Sequence, residues 1–491
     1  MVRHVVTDEA LQLLHEGSEC LSRIEATGVR VNVEYMESTI TQTQEVIKEI
    51  EARMRTDEVY RVWRKAFGER TKLGGREQLA TVIFDKMGYQ PKEFTATGRA
   101  KADKDALDDI DLPFVRDFCQ VENLKKTIST YLLGIKREMV KVGPFWYVHP
   151  IYNLHTASTY RSSCDNPNFQ NVPKRNPEMA KKIRPCYMPL PGHHMVEFDF
   201  SQLEVRVSVA YNEDPVLMKY VTDPSTDMHR DVAMQLFKID PKDYAKHKDY
   251  FKKTVRDSAK NQFVFPEFYG SVFFNCAANI WKAMTRRDFR FGKDGPAMID
   301  YLKSRGITGL GKKISHWDGE RKGRIETEAG TFTDHCRRVE EDFWNKRFKV
   351  YTKWKRAWFE KYQRDGGFSM YTGFAVNTVL SRNDVINYPI QGSAFHCLLW
   401  CLIRIDKWLK RYKMKSRIIG EIHDSMVMSI HPHELQDVLT FCHKVMTKDL
   451  LKHWKWINVP LEAEADCGPV DGHWLETKEY HNEGGRWTMK S

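Results

Sequence analysis

The sequence predicts an α+β chain folded as several linked lobes, and three observations carry that expectation. The charged, periodic run TQTQEVIKEIEARM and the amphipathic REQLATVIFDKMG read as helices. The segment HHMVEFDF, a strand, feeds directly into SQLEVRVSVAY, a helix. Near the C-terminus, SRIIGEIHDSMVMSI carries two β-rich arms around an Asp-Ser tip, a hairpin. With 491 residues and 41% hydrophobic content, the chain can build more than one core. Two to four lobes are expected, and a peptide or a disordered tail is excluded.

Taken in order, residues from Glu34 to about Leu133 form a semi-independent helical lobe, with TATGRAKADKDAL as its polar connector. From about Phe145 to Tyr211, short apolar runs broken by Pro and Asn lead into the strand and helix above, where Ser201 to Glu204 spells a capping box. Residues 215–380 return to helix, interrupted at about 282–330 by a Gly- and Lys/Arg-rich stretch. Twelve basic and seven acidic residues lie between 281 and 330, a balance that reads first as a solvated loop and second as a nucleic-acid contact. The hairpin follows. There is no internal repeat and no low-complexity tract.

Seventy-seven Lys and Arg against 66 Asp and Glu leave a net charge of +11, which suits a polyanionic partner such as nucleic acid without identifying one. Ten cysteines without a CxxC pair match neither a disulfide framework nor a zinc site and point to a reducing compartment. Cys397 and Cys401 lie a helical turn apart beside His396, but the run AFHCLLWCLI is apolar and reads as core. The N-terminus lacks an apolar signal core, and no stretch approaches the roughly 18 apolar residues of a membrane span. A cytoplasmic protein without a membrane partner is expected.

Four groups of residues carry candidate chemistry. Asp199 stands where the strand meets the helix and Asp424 at the hairpin tip. Singly, such carboxylates are more often caps or surface salt bridges than ligands; together on one sheet they can hold hard divalent ions for phosphoryl displacement. In VRDSAKNQFVFPEFYGS, Arg256 and Lys260 share a helix face at the spacing of a triphosphate, and Phe265 and Tyr269 repeat the interval with aromatic surfaces. The plainer reading is an amphipathic helix with a basic edge. HTASTYRSSCDNPNFQNVP combines one Arg with Asn and Gln, donors suited to phosphates or minor-groove base edges, or else forms a polar loop. In NYPIQGSAFH, Asn387 and Gln391 lie one turn apart on a potential nucleic-acid face, or the segment is a helix start with Pro389 in its first turn.

These groups, in this order, resemble family A DNA polymerases, the group of bacterial polymerase I and several phage replicases. DFSQLEVRV is similar to their motif A, RDSAKNQFVFPEFYG to motif B and EIHDS to motif C. RIEATGVRVN, GGREQLATVIFDKMGYQPKEFTATG, DMHRDVAMQLF and PIQGSA also resemble family segments, leaving about 282–330 outside the pattern. The resemblance implies a right-hand fold with an antiparallel-sheet palm and mainly helical thumb and fingers. The palm would comprise residues 1–34, 141–214 and 381–491, the thumb 35–140 and the fingers 215–380.

The implied reaction is template-directed addition of deoxynucleotides to a primer 3′ end. By resemblance, Asp199 and Asp424 would hold two Mg²⁺ ions, for which Mn²⁺ can substitute, and Lys260 would assist departure of pyrophosphate. Arg256, Lys260 and His229 match contacts to the triphosphate. Gln202, Glu204, Phe265 and Tyr269 belong to the nucleotide site, with Glu204 at the steric gate that excludes a ribose 2′-hydroxyl. Arg161, Asn168, Gln170, Asn171, Asn387, Gln391 and His423 match positions that touch primer and template.

Three departures accompany the likeness. Ser425 follows Asp424 where many members have Glu, and a hydroxyl is a weaker metal partner, so it is left out of the ligand set. Motif B is one residue longer between Lys260 and Tyr269 and contains Pro266, which should kink or bulge its helix. The sugar-facing side chain is then Phe265 counted from Tyr269 or Val264 counted from Lys260, and Phe265 offers the larger surface. Third, the chain begins about two dozen residues before RIEATGVRVN, so no 3′→5′ exonuclease domain is expected ahead of it: the protein works without editing, or a separate exonuclease chain joins it, or the sequence is part of a longer one.

The expectation is therefore a phage replication polymerase without intrinsic proofreading, served by a separate exonuclease or other replisome subunit if it is edited at all. The alternatives are a catalytically degenerate scaffold that binds primer-template and a single-subunit RNA polymerase, against which the bulk of Glu204 argues.

Overall fold

The computed structural model describes residues 4–91, 94–95, 98–107, 110–174, 176–285, 289–315 and 325–490. HHMVEFDF becomes the strand His194–Phe200, third in a six-stranded antiparallel sheet. The sheet order is Arg417–Ile422, Ser425–Ile430, His194–Phe200, Ala463–Val470, Lys478–Glu483, Arg486–Met489. Met195, Val196 and Phe198 are fully buried, as a strand with neighbours on both edges and cover on both faces requires.

The 30-residue helix Arg382–Arg411 lies against the strands Arg417–Ile422 and Ser425–Ile430, and the first helix, Asp8–Thr27, packs closely on it. Gly17 makes the approach possible, because a Cβ there would sit 2.8 Å from Leu399 Cδ2. Ion pairs fasten the two helices, Arg23 to Asp406 at 2.7 Å and Lys407 to Glu16 at 2.8 Å.

A second antiparallel sheet orders Val140–Val142, Phe145–Val148, Val29–Val31 and Tyr187–Met188. From it projects the helical region expected from Glu34 onward. Asn32 caps the helix Val33–Thr56 by accepting from Tyr35 N–H, and that helix packs along Pro113–Lys126, where Arg53 pairs with Asp117 at 2.6 Å. Parts of TATGRAKADKDAL lie outside the described residues.

The described residues between 215 and 365 are mainly helical. Within the basic 282–330 stretch, Met298–Ser304 is helical and Lys313–Ser315 pairs with Ile325–Thr327. Residues 286–288 and 316–324 of that stretch lie outside the described set. Nine of the ten cysteines are buried, Cys397 and Cys401 completely, because AFHCLLWCLI faces the core of the long helix. Among the described residues no helix is long and apolar enough to cross a membrane.

Three local expectations are corrected. The capping box does not form: the helix is Leu203–Asn212, its N-cap is Gln202 in a left-handed conformation (φ 55°), and no side chain caps it. Glu204 is engaged elsewhere. The hairpin tip is His423–Asp424 rather than Asp-Ser, since Ser425 already pairs with Ile422 and with Asp199. His423 takes the positive φ, 59°, that a two-residue turn demands.

Pro389 does not start a helix but lies inside Arg382–Arg411, which Ser381 caps. A proline cannot donate to the carbonyl four residues back, which is Val385 O. The Trp358 indole N–H supplies the missing donor at 2.9 Å, so the helix continues through Pro389.

Candidate active site

Strand pairing brings the two aspartates together although 225 positions separate them in sequence. Ser425 pairs with Asp199, and Phe200 N–H donates to Asp424 O at 3.3 Å, so Asp424 sits at the mouth of the hairpin beside the end of the Asp199 strand. Burial, then the facing charge of Asp424, raises the Asp199 carboxyl to about 7. Asp424 is raised too, by burial first and then by Glu204. Two such carboxylates ionise together when a countercharge lies between them, so this hard-oxygen donor set fits a divalent cation.

Ser425 hardly adds to that set: it is 3% exposed, and its hydroxyl donates to Ile422 O at 3.2 Å. Among the described residues no group of three or more His, Cys, Asp or Glu is placed to hold an ion by itself. A cation at the pair would complete its shell from water or from a substrate's oxygens.

Asp424 opens into a cavity of about 530 Å³. Glu204, released from any cap, hydrogen-bonds the Tyr269 hydroxyl and lies 3.3 Å from Arg161 Nη1. These three side chains tie the first turn of one helix, the base of motif B and the 155–163 loop into one wall. Gln202, Phe265, Asn387, Gln391 and His423 line the same cavity. A cleft of about 650 Å³ between the first helix and Asn377 is larger, but the carboxylate in it, Glu25, is already bonded to Tyr152 N–H.

Motif B is helix, π turn, helix. Val255–Ala259 runs into the π turn Lys260–Val264, closed by Phe265 N–H on Lys260 O, and then into Phe265–Phe268. A π turn takes up one more residue than an α turn, which suits the longer spacing expected between Lys260 and Tyr269. Pro266 falls in the first turn after it. The reading frame at the cavity follows: Val264 is fully buried, whereas Phe265 lines the cavity.

Phe265 also joins the cavity to a cationic group. Lys260 Nζ lies 5.4 Å from its ring centroid, and the His229 ring packs edge-on at 5.7 Å. Arg256 pairs with Asp227 at 2.6 Å, and Asp227 caps the helix that carries His229. Burial, then the nearby charges of Arg256 and Lys260, lowers the His229 imidazole to about 4, so it is neutral at pH 7. Its Nδ1 is buried without a hydrogen-bond partner.

The remaining predicted contacts divide. Asn168 and Asn171 are exposed, Asn168 accepting from Asn171 N–H at 3.1 Å. Gln170 is 7% exposed and donates to Ser162 Oγ and to Glu421 Oε2, so its amide is committed inside the fold. Glu421, which sequence reasoning did not single out, is fully buried; burial raises its carboxyl to about 7, and Ser162 also donates to it at 2.6 Å.

Lys174 and Glu197 were likewise missed. Glu197 is 3% exposed in the strand of Asp199, and its partners are Lys174 at 3.1 Å, Arg184 at 3.5 Å and the Trp474 indole at 2.9 Å. Lys174 also reaches Asp199 at 3.5 Å. A charged residue amid the apolar run of HMVEFDF is the one signal that pointed to them.

With this geometry in hand, the sequence model of DNA polymerase family A matches residues 37–286 and 373–474. The unmatched stretch between them is wider than the 282–330 insertion read from the sequence. DNA polymerase I of Lactococcus lactis subsp. cremoris is 27% identical over 480 residues, covering 97% of this chain and 46% of that protein. DNA polymerase I of Bacillus subtilis is 25% identical over 487 residues, covering 97% and 47%. The chain thus spans about half the length of the curated relatives it matches. Among solved structures, the POL domain of Pol1 from M. smegmatis, in complex with DNA primer-template and dNTP, superposes with a TM-score of 0.68 at 20% identity, covering 93% of this chain and 69% of that one. That likeness is one of fold.

Proposed function

Since the chain belongs to DNA polymerase family A, we propose that it extends a primer on a DNA template by metal-assisted phosphoryl transfer centred on Asp199 and Asp424. The observation that carries this reading is the meeting of those two half-buried carboxylates, with Asp424 at the mouth of a cavity walled by Glu204, Tyr269, Asn387 and Gln391. Two divalent cations between them would activate the primer 3′-hydroxyl and neutralise the triphosphate.

The chain's own residues do the positioning. Lys260 and Arg256 bind the triphosphate, and neutral His229 donates to it through a ring nitrogen. Lys260 stands ready to give a proton to the departing pyrophosphate. Phe265 packs against the sugar, and Glu204, braced by Tyr269 and Arg161, fills the space a 2′-hydroxyl would need. Asn387, Gln391, His423 and Arg161 face the primer-template, with Asn168 and Asn171 on its approach. In this reading the helical projection 35–140 is the thumb, 215–380 the fingers, and the six-stranded sheet the floor of the palm.

Extension of a labelled primer with Mg²⁺ and each nucleotide set tests the proposal. Asp199→Ala and Asp424→Ala should each abolish synthesis, by a factor on the order of 10³ or more, and leave primer-template binding intact. Normal synthesis by either variant would sink the assignment. Binding without synthesis by the parent chain would favour a scaffold instead. A phage setting and synthesis without editing belong to this reading as expectations, and excision of a 3′-mismatched primer by the purified chain would remove the second.

A further inference from the structure

The strand that bears Asp199 carries an arrangement the reading above leaves unused. Glu197 and Asp199 lie two residues apart and so share a face of the sheet. Directly across the neighbouring strand stand Asp466 opposite Glu197 and Glu464 opposite Asp199. Like charges at opposed positions destabilise a sheet, and here two such pairs are adjacent, with Asp424 at their edge.

Two cations among the described residues pair with this face, Arg184 at Glu197 alone and Lys174 at both Glu197 and Asp199. The Lys174 Nζ lies 3.1 Å from Glu197 Oε1 and 3.5 Å from Asp199 Oδ2. The two ends of the bridge differ in kind. Glu197 is buried, and its second oxygen is held by Arg184 and the Trp474 indole, so it cannot follow a moving partner. The Asp199 side chain is 37% exposed and Lys174 is 56% exposed, so the contact between them is the looser one and can open into water.

We propose that Lys174, tethered by Glu197, is a positioning residue for Asp199: an internal counter-cation that holds the carboxylate face together without a divalent ion and yields Asp199 when the ion arrives. The ammonium and the ion compete for one carboxylate, and the tether keeps the ammonium close enough to return after the ion leaves. This gives the buried Glu197 a purpose that packing alone would not, since an apolar residue would suit the strand better. The inference rests on the reading of Asp199 and Asp424 as the ion-binding pair.

The test is Mn²⁺ binding to the whole chain without DNA or nucleotide, followed by the resonance of free Mn²⁺. Lys174→Met should tighten Mn²⁺ binding roughly three- to tenfold, a modest factor because the ammonium is half exposed and screened. Lys174→Arg, which keeps the charge, should restore the parental affinity. Glu197→Gln, which leaves Asp199 as the stronger attraction for Lys174, should weaken Mn²⁺ binding over the same range, and it serves if Lys174→Met fails to fold. The thermal midpoint of Lys174→Met should fall in EDTA and recover with Mn²⁺.

Unchanged Mn²⁺ affinity in Lys174→Met and Glu197→Gln overturns the proposal while leaving the ion site standing. Parental Mn²⁺ binding by Asp424→Asn overturns the ion site itself, and the proposal with it. Loss of primer-template affinity by Lys174→Met at constant Mn²⁺ affinity would overturn it in favour of a phosphate contact.

Discussion

Glu204 illustrates how one residue's role depends on what it touches. Its position in the sequence suits both a helix cap and a gate, and the structure gives its carboxylate to Tyr269 and Arg161, with the cap left unmade. A side chain braced from two sides presents fixed bulk, which a gate needs and a cap does not. Glu204→Ala should therefore relax discrimination against ribonucleotides by roughly 10- to 100-fold, measured as the ratio of kcat/KM for the two sugars. An unchanged ratio would remove Glu204 from the gate. Tyr269→Phe, which removes the bracing hydroxyl, should move the ratio in the same direction by less.

At the scale of the element, irregular helices are maintained by partners from elsewhere. Trp358 holds the Val385 carbonyl that Pro389 leaves without a donor, so Trp358→Phe should cost about 1–2 kcal/mol in urea unfolding, mostly from that unpaired group. A cost near zero would mean that the carbonyl finds water. The base of motif B depends on a buried carboxyl pair. Glu267 accepts from the Trp344 indole at 2.8 Å, and Glu340 from Phe273 N–H at 2.7 Å, with Cys276, Lys355 and Arg382 nearby.

Burial, then the charge of Glu340, raises Glu267 to about 8, while burial lowers Lys355 to about 7. The folded state therefore binds more protons than the unfolded state above pH 4.5, and stability falls as pH rises toward 7. Above pH 7 Lys355 acts in the opposite sense, because the unfolded chain then binds the extra proton. Glu267→Gln should remove this group's share of that slope, to which Asp199 and Glu421 also contribute, gaining on the parent by on the order of 1 kcal/mol between pH 5 and 7. Parallel pH profiles for variant and parent would show that the pair ionises freely.

Across the whole molecule, the net charge of +11 sets a salt dependence for binding of a polyanionic primer-template. Primer-template affinity should fall by about 10³ or more between 50 and 200 mM salt if six or more phosphates are neutralised. A flat profile would exclude phosphate contacts as the main source of binding. Among the described residues, the six-stranded sheet, the long helix and the helix Asp8–Thr27 bury one continuous set of apolar residues.

The sequence by itself determined the helical lobe, the strand that ends at Asp199, the hairpin that carries Asp424 and the residues of motif B. Periodicity and turn chemistry are properties of neighbouring residues, and they were legible for that reason. Only the tertiary structure decided that a π turn turns Phe265 to the cavity and Val264 to the core, that Glu204 serves Tyr269 rather than a cap, and that Gln170 bonds Glu421 inside the fold. The same holds for Lys174, whose place between Glu197 and Asp199 is set by how a loop lies across a strand. Apart from the π turn, which closes locally between Lys260 and Phe265, each of these outcomes is a choice of partner across 23 to 251 positions of chain, settled by strand pairing and helix packing, and local pattern carries no record of it.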